Sequence, residues 1–336
     1  MSRPIKYLVV ASLCGCVAHV FFSVILAATT SALYQHRMVN LRLLDEQTET
    51  QSEVVGSFLL DTINDSAKPV VTIVGSSFSW GLPFVEEDTF GYHLEGELQD
   101  RYNTVNASVI GDSPQGSMQT LCAFERLDVR AAVLFIEVNL ANYWSGGPVF
   151  QTWATSSEHC ADAYTSRGRG GTGTDNPEIF RTPFRYLSFF LKNPFGLGHL
   201  KTLFDERTEN VRHERDFDLN RLPDNYFPTT AEFDEHLEVH RQNITDLGKT
   251  ARISADRVIL AISPFAEDGL GLSRFTWGEI EPQLNTLYEL CLQNPDVDCF
   301  YPQAALTQAH FMDVAHLNLH GHKRYAKLLA EFIAGP

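Results

Sequence analysis

Three serines follow a short apolar run early in the chain, and a histidine follows an aspartate near its end. The serines are Ser76, Ser77 and Ser79 in VVTIVGSSFSWG, and the second pair is Asp313 and His316 in DVAHLNLHGH. A serine hydroxyl is a weak nucleophile at neutral pH and needs a base, which a histidine oriented by a carboxylate can supply. The short turn between Asp313 and His316 lets the carboxylate reach one imidazole nitrogen while the other faces a cleft. The residue types are therefore those of a serine nucleophile with a histidine base held by a carboxylate.

A metal-binding interpretation of the same histidine-rich stretch is weaker. His316, His320 and His322 lie close together in the chain, but Gly321 interrupts them and no carboxylate has the spacing of a further ligand. The sequence predicts no metal and no cofactor. His320 and His322 are expected on the surface of the last helix or beside the site.

The elements that position these residues form an alternating pattern. Apolar runs bounded by Gly, Pro or polar turns predict five strands: PVVTIVG, NTVNASVIG, AAVLFIEVN, DRVILAISP and VDCFYP. Stretches with helical spacing separate them, including one opened by Ser113 and Pro114 and one that ends the chain. This order predicts a three-layer α/β/α sandwich with a mainly parallel sheet, in which sites form where strands end.

The motifs resemble those of the SGNH hydrolases, also called GDSL esterases and lipases. The first block of that family reads G-D-S-x-S-x-G, and residues 75–81 read GSSFSWG. Its last block reads D-x-x-H before a helix, which Asp313 and His316 match, and the glycine of its second block matches Gly111 in NASVIGDSPQG. The blocks keep the family's order between residues 70 and 335. The resemblance implies that Ser77 is the nucleophile, His316 the base and Asp313 its partner, with the N–H groups of Ser77 and Gly111 in the oxyanion hole.

Two departures from that pattern leave alternatives open. Ser76 stands where the first block has aspartate, so Ser76 competes with Ser77 for the nucleophile, and Ser77 is preferred because it keeps the block in register. The third block reads G-x-N-D, whereas the third strand ends in IEVNLANYW. Asn139 is the first choice for the oxyanion side chain and Asn142 the second.

The resemblance implies a serine esterase or O-acyltransferase that works through a covalent acyl-enzyme. Anchored members of the superfamily often add or remove O-acetyl groups on cell-surface glycans, so the expected substrate is an acyl ester of a cell-envelope glycan or lipid. The alternative is a non-catalytic accessory subunit or binding module of a membrane complex. The altered third block and the long insertion favour that alternative, whereas the retained Ser77, Asp313 and His316 favour an enzyme.

A long interruption, residues 142–228, separates the third and fourth strands. It contains the Gly-rich SRGRGGTGTDNPE, which lacks the P-loop pattern and reads as a loop, and the Phe-rich FRYLSFFLKNPFGLGHLKTLF. The Phe-rich part is interpreted either as a helix packed on the core or as a lid or acyl-chain pocket.

The N-terminus predicts a membrane anchor. Residues 7–36 contain no Asp, Glu, Lys or Arg, and an apolar run of about 20 residues can cross a bilayer. A cleaved signal peptide is the alternative, but its apolar region would be shorter. Arg3 and Lys6 place the tip in the cytoplasm and the main domain in the periplasm or outside the cell. The predicted organisation is 1–36 tip and anchor, 37–66 connector and 67–336 SGNH-like domain.

Net charge indicates which partners are not expected, and the cysteines indicate possible disulfide pairs. The net charge of −16 repels phosphate backbones, so nucleic acid is not an expected partner. Cys291 and Cys299 flank a short polar stretch that a disulfide could close, with Cys122 and Cys160 as the other pair. Four buried free thiols are the alternative.

Overall fold

The structure is a computed structural model, and it describes residues 66–81, 84, 86–99, 101–108, 114–126, 128–141, 226–267, 270 and 275–335. All of them belong to one compact unit of the chain. The predicted anchor, nearly all of the connector and most of the insertion lie outside these residues. So do Gly111, Asn142 and Cys160.

Five strands form one parallel sheet with the order β2-β1-β3-β4-β5. They are β1 (Val70–Val74), β2 (Asn103–Asn106), β3 (Ala131–Val138), β4 (Ala255–Ile262) and β5 (Asp298–Phe300). Nearly every residue of β1, β3 and β4 is buried. Burial on both faces is the reason these strands read as continuous apolar runs rather than as an alternating pattern.

Seven α-helices accompany the sheet in the described part of the chain: α1 (Ser77–Trp80), α2 (Phe90–Glu97), α3 (Pro114–Arg126), α4 (Thr230–Glu235), α5 (Leu237–Ile253), α6 (Trp277–Leu292) and α7 (Leu319–Ala334). Short 3-10 turns occupy Glu86–Asp88, Gln303–Ala305 and Gln308–His310. Side chains satisfy free N–H groups at several helix starts. Thr229 and Thr276 form capping boxes, and Asn318 accepts from the Gly321 amide at 2.9 Å.

Two hydrophobic cores lie on opposite faces of the sheet. Val70, Val74, Leu134 and Ile136 face one core, which also contains buried residues of α3, α5 and α6. Residues of the alternate parity, including Val71, Ile73, Val133 and Phe135, face the second core with buried residues of α2 and α7. The predicted three-layer α/β/α arrangement with a parallel sheet is therefore confirmed for the described residues.

Two predicted elements differ from the structure. Helical spacing in TAEFDEHLEVHRQNITDLGKTAR predicts one helix over residues 230–252. The structure divides it at His236 into α4 and α5, because the His236 amide bonds the Phe233 carbonyl and ends the first helix there. The second strand was predicted to continue towards Gly111, but β2 ends at Asn106. The Asn106 side chain accepts from the Ser108 amide at 3.0 Å, and such a turn competes with the strand ladder.

No helix among the described residues is long and apolar enough to span a bilayer. The predicted span at residues 7–34 is outside them, so the anchor stays a prediction.

Candidate active site

The strand order reverses between β1 and β3, which are neighbours in the sheet although β2 lies between them in the chain. In open parallel sheets, a crevice forms outside the carboxyl ends of strands at such a reversal. Ser77 follows the end of β1, and Asn139 follows the end of β3. The fold thus brings the first and third sequence blocks to the same edge.

The serine turn, residues 75–81, carries Ser77 at the first position of α1. Gly75 allows the turn to lie against β3, since a Cβ there would come within 2.5 Å of Glu137 and 2.7 Å of the Ser79 hydroxyl. Gly81 ends the turn with φ of 88°, a left-handed conformation that glycine adopts without strain. The two glycines of the block are therefore required by geometry.

The serine turn is held from both neighbouring strands. Asn106, at the end of β2, donates from Nδ2 to the Ser79 carbonyl at 2.9 Å. Glu137, near the end of β3, accepts from the Ser76 amide at 2.7 Å and from the Ser79 amide at 3.1 Å. Backbone groups in so tight a turn are thus satisfied by buried side chains.

Ser77, His316 and Asp313 form a hydrogen-bonded chain. The Ser77 hydroxyl lies 2.9 Å from Nε2 of His316, and Nδ1 of His316 lies 2.6 Å from Oδ2 of Asp313. Because the carboxylate can only accept when ionised, Nδ1 carries the proton and Nε2 is left to accept from the serine hydroxyl. The His316 side chain is 17% exposed and that of Asp313 is 4% exposed, so the imidazole opens to solvent and the carboxylate is shielded.

The loop before α7 fixes Asp313 and His316 independently of Ser77. Oδ1 of Asp313 accepts from the amides of Ala315 and His316, at 2.6 Å and 2.5 Å. The Val314 carbonyl accepts from the Ala266 amide at 2.8 Å, which joins the loop to the segment after β4. The carboxylate is therefore oriented by backbone donors through one oxygen and binds the imidazole through the other.

Ser76 occupies a different environment from Ser77. Ser76 is 3% exposed, and its hydroxyl donates to Oε1 of Glu137 at 2.7 Å. A serine hydroxyl that is buried against a carboxylate is not placed to attack a substrate in the cleft. Of the two adjacent serines, Ser77 is the one against an imidazole.

The predicted oxyanion residues divide between described and undescribed parts of the chain. Asn139 is buried, donates from Nδ2 to Glu137 at 3.0 Å and accepts from the Ala141 amide at 3.0 Å. These two bonds fix which end of its carboxamide carries the nitrogen. Gly111 and Asn142 lie outside the described residues, and their assignments stay predictions.

Glu137 is the central residue that sequence reasoning missed. It is 6% exposed and accepts from five donors: the Ser76 amide and hydroxyl, the Ser79 amide, Nδ2 of Asn139 and, at 3.1 Å, the Ser263 hydroxyl. An ionised carboxylate is an acceptor only, which suits five donors. The available signal was an acid inside the apolar run VLFIEV, since a charge in a buried strand must be paired or bonded.

Burial shifts the pKa values of two side chains near the site, Tyr226 and His322. Burial, together with the carboxylates of Asp313 and Glu137, raises the pKa of the half-buried Tyr226 above its ordinary value. Burial, with smaller effects from His93 and His316, lowers the pKa of His322 to about 3. His322 is buried rather than on the helix surface, and its Nδ1 accepts from the Phe90 amide at 3.1 Å. His320 is exposed.

The cysteines are partly accounted for. A disulfide joins Cys291 and Cys299, as the first predicted pairing required. Cys122 is also disulfide-bonded, while its predicted partner Cys160 lies outside the described residues.

No protein-family model and no curated protein sequence matches the chain. Solved structures resemble its fold distantly. Est24, a carbohydrate acetylesterase from Sinorhizobium meliloti, shares 11% identity at a TM-score of 0.39, covering 80% of this chain and 99% of that one. A lipolytic G-D-S-L protein from Veillonella parvula shares 11% at 0.41, covering 79% and 98%. An aryl esterase from M. smegmatis shares 9% at 0.41, covering 80% and 99%. At these values the likeness assigns neither a family nor an activity.

Proposed function

We propose that the chain is a serine esterase or O-acyltransferase in which Ser77 is the nucleophile. The supporting observation is the continuous chain from the Ser77 hydroxyl through the His316 imidazole to the Asp313 carboxylate, with bonds of 2.9 Å and 2.6 Å. Both distances lie within or at the limit of the range for a working nucleophile and base. Ser77 belongs to the first sequence block, and Asp313 and His316 belong to the last.

The reaction begins with attack of the Ser77 oxygen on the carbonyl carbon of an acyl ester. Nε2 of His316 takes the serine proton, and the buried Asp313 carboxylate stabilises the imidazolium through Nδ1–H. The tetrahedral intermediate collapses when its ester C–O bond breaks, and His316 returns the proton to the leaving alcohol. The acyl group is then bound to Ser77.

The second half of the reaction repeats these steps with a different nucleophile. Water or a sugar hydroxyl gives its proton to His316 and attacks the acyl-serine, and the proton returns to Ser77 as the new product leaves. Water as the acceptor makes the protein an esterase, and a glycan hydroxyl makes it an acyltransferase. The oxyanion formed in each half is assigned to N–H groups of Ser77 and Gly111 and to the Asn139 carboxamide, with Asn142 as second choice.

The proposed setting follows from the N-terminal run and the cysteines. An anchor at residues 7–34 would hold the domain at the outer face of a membrane, where acyl esters of envelope glycans and lipids are within reach. The Cys291–Cys299 disulfide is compatible with an oxidising compartment outside the cytoplasm.

Reaction with a fluorophosphonate probe tests the proposal directly. The full chain, purified in detergent, should take up one probe molecule, and mass spectrometry of the peptides should locate it on Ser77. Heat-denatured protein is the matched control and should not react, because the reactivity depends on His316 and Asp313 being in place. Folded wild-type protein that takes up no probe would overturn the enzymatic proposal in favour of a binding role.

Ester hydrolysis separates the two enzymatic outcomes. Turnover of p-nitrophenyl acetate, or of a longer acyl ester, identifies an esterase and its chain-length preference. Labelling by the probe without turnover of either ester favours a transferase that requires a specific donor or acceptor.

A further inference from the structure

We infer that Glu137 is a positioning residue for the proposed nucleophile, and that it acts by joining the serine turn to the oxyanion side chain. This inference rests on the proposed function for its catalytic consequence. Its structural part, that one carboxylate fixes both groups, stands on the contacts of Glu137 alone.

The two carboxylate oxygens have separate tasks. Oε2 accepts from the amides of Ser76 and Ser79, which lie on either side of Ser77 in the serine turn. These hydrogen bonds, 2.7 Å and 3.1 Å long, fix the backbone on both sides of Ser77. Because Ser77 lies between these two amides, the direction of its hydroxyl towards His316 depends on this backbone being held.

Oε1 connects the turn to the ends of two further strands. It accepts from the Ser76 hydroxyl at 2.7 Å, from Nδ2 of Asn139 at 3.0 Å and from the Ser263 hydroxyl at 3.1 Å. Asn139 follows β3 and Ser263 follows β4. One buried group therefore ties together the carboxyl ends of β1, β3 and β4.

The Asn139 carboxamide depends on Glu137 more strictly than the two serines do. A serine hydroxyl can donate or accept, so it can adapt to a change of partner, whereas an amide nitrogen can only donate. With the Asn139 oxygen engaged by the Ala141 amide, the nitrogen is directed by its bond to Glu137, and its second hydrogen remains for another acceptor.

Glu137→Gln removes the negative charge and replaces one acceptor oxygen by a donor NH2 group, while the side chain keeps nearly the same shape. In Glu137→Gln the amide oxygen can still accept from the two turn amides, and the serine hydroxyls can rotate to accept from the new NH2 group. Nδ2 of Asn139 would then face another donor and lose its partner. We expect the probe to label the variant about 10- to 100-fold more slowly, since a small misplacement of reacting groups has effects of that size. The KM for ester hydrolysis should stay within about twofold of the wild-type value, because the change affects reaction and not binding.

Asn139→Ala and the double variant test whether the two residues act through one another. The single change should slow labelling, and adding Glu137→Gln to it should slow labelling little further, because the group that Glu137 directs is already missing. Fully multiplicative effects of the two changes would overturn the inference.

Glu95→Gln is the matched control, because Glu95 also accepts a backbone amide, that of Thr104 at 3.0 Å, but away from Ser77.

Hydrogen exchange supplies a readout that does not need activity. Glu137→Gln should raise amide exchange in residues 75–81, because a neutral amide oxygen accepts from the Ser76 and Ser79 amides more weakly than a carboxylate does. Glu95→Gln should raise exchange near β2 and leave labelling at the wild-type rate. Unchanged exchange in the serine turn, or wild-type labelling by Glu137→Gln, would contradict the positioning role. A wild-type protein that never labels, combined with the local rise in exchange, would overturn the proposed function and still support positioning of the turn by Glu137.

Discussion

The hydroxyl oxygen of Ser77 lies 2.9 Å from Nε2 of His316, although 239 positions separate the two residues in the chain. Ser77 is placed by the end of β1 and His316 by the loop before α7, and each of these segments is fixed by its own buried hydrogen bonds. The contact is therefore a consequence of two separately rigid segments meeting at one sheet edge.

Substitution of the two adjacent serines should give opposite results. Ser77→Ala should abolish probe labelling and reduce ester turnover by about 10³-fold or more, because the nucleophile is removed. Ser76→Ala should keep most of the activity, since its hydroxyl bonds Glu137 and not the base. Labelling rate and turnover measure both effects, and circular dichroism confirms that the variants are folded. Loss of activity in Ser76→Ala with activity retained in Ser77→Ala would reverse the assignment.

Changes to the proposed base and its partner should be graded. His316→Ala should cost nearly as much as Ser77→Ala, and the double variant should be no worse than either, because groups that act as a unit do not contribute additively. Asp313→Asn should reduce turnover by at least about 10²-fold, since an amide favours the wrong imidazole tautomer. His320→Ala, on an exposed position of α7, is the control and should match wild type. Activity in His316→Ala comparable to that control would exclude His316 as the base.

Much of the fold was accessible from the sequence because the strands are continuous apolar runs with Gly, Pro or Asn at their ends. A strand buried on both faces has no other pattern available, and β1, β3 and β4 follow it. The division at His236 was missed because the helical spacing continues through it. At that residue the amide bonds the Phe233 carbonyl and the ring Nδ1 lies 2.8 Å from the Glu232 carbonyl, so α4 ends there.

The parts of the site that carry short motifs were predictable from the sequence, whereas a contact made by a residue outside those motifs was not. Ser77, Asp313 and His316 were chosen from the sequence, and the structure brings them together. The Ser76–Glu137 contact spans 61 positions, and Ser76 departs from the motif of its block. No local pattern indicates that these two residues meet. By contrast, the burial of His322 was readable, since it shares a helical face with Tyr325, Ala326 and Leu329.

His322 should make the protein less stable in mild acid. Its pKa falls from about 6.5 in the unfolded chain to about 3 in the folded protein, so protonation favours unfolding. The stabilising contribution is complete above about pH 6.5 and is lost progressively as the pH falls towards 3. His240, whose pKa burial lowers to about 4, adds a parallel loss.

Replacing His322 isolates its share of this pH dependence. His322→Asn keeps an acceptor for the Phe90 amide, and between pH 7.5 and 5.0 the variant should lose about 2 kcal/mol less unfolding free energy than wild type. Urea denaturation at the two pH values measures the difference. The exposed His320→Asn should lose as much as wild type. An equal loss in His322→Asn would show that His322 does not titrate on unfolding as proposed.

The Cys291–Cys299 disulfide should stabilise the connection between α6 and β5. Replacing both cysteines by alanine opens a loop of 8 positions and should lower the unfolding free energy by about 2 kcal/mol. Urea denaturation without reductant measures this change. Differential alkylation of protein taken from intact cells should find both thiols protected until reduction. Free thiols at both positions in cells would contradict the oxidising location as well as the bond.

The N-terminal run should place the domain on the far side of a membrane from the cytoplasm. Residues 7–36 lack charged side chains, and Arg3 and Lys6 lie on the expected cytoplasmic side. Protease added to spheroplasts should digest the domain while a cytoplasmic marker protein stays intact, and alkaline carbonate should leave the chain in the membrane. Phe21→Arg puts a charge near the middle of the run, at a cost of about 3 kcal/mol for insertion, and should reduce the membrane-bound fraction. Ser23→Ala is the control and should behave as wild type. Complete protection of the domain would exclude this topology, and release of the wild-type chain from the membrane as a shortened protein would identify a cleaved signal peptide instead.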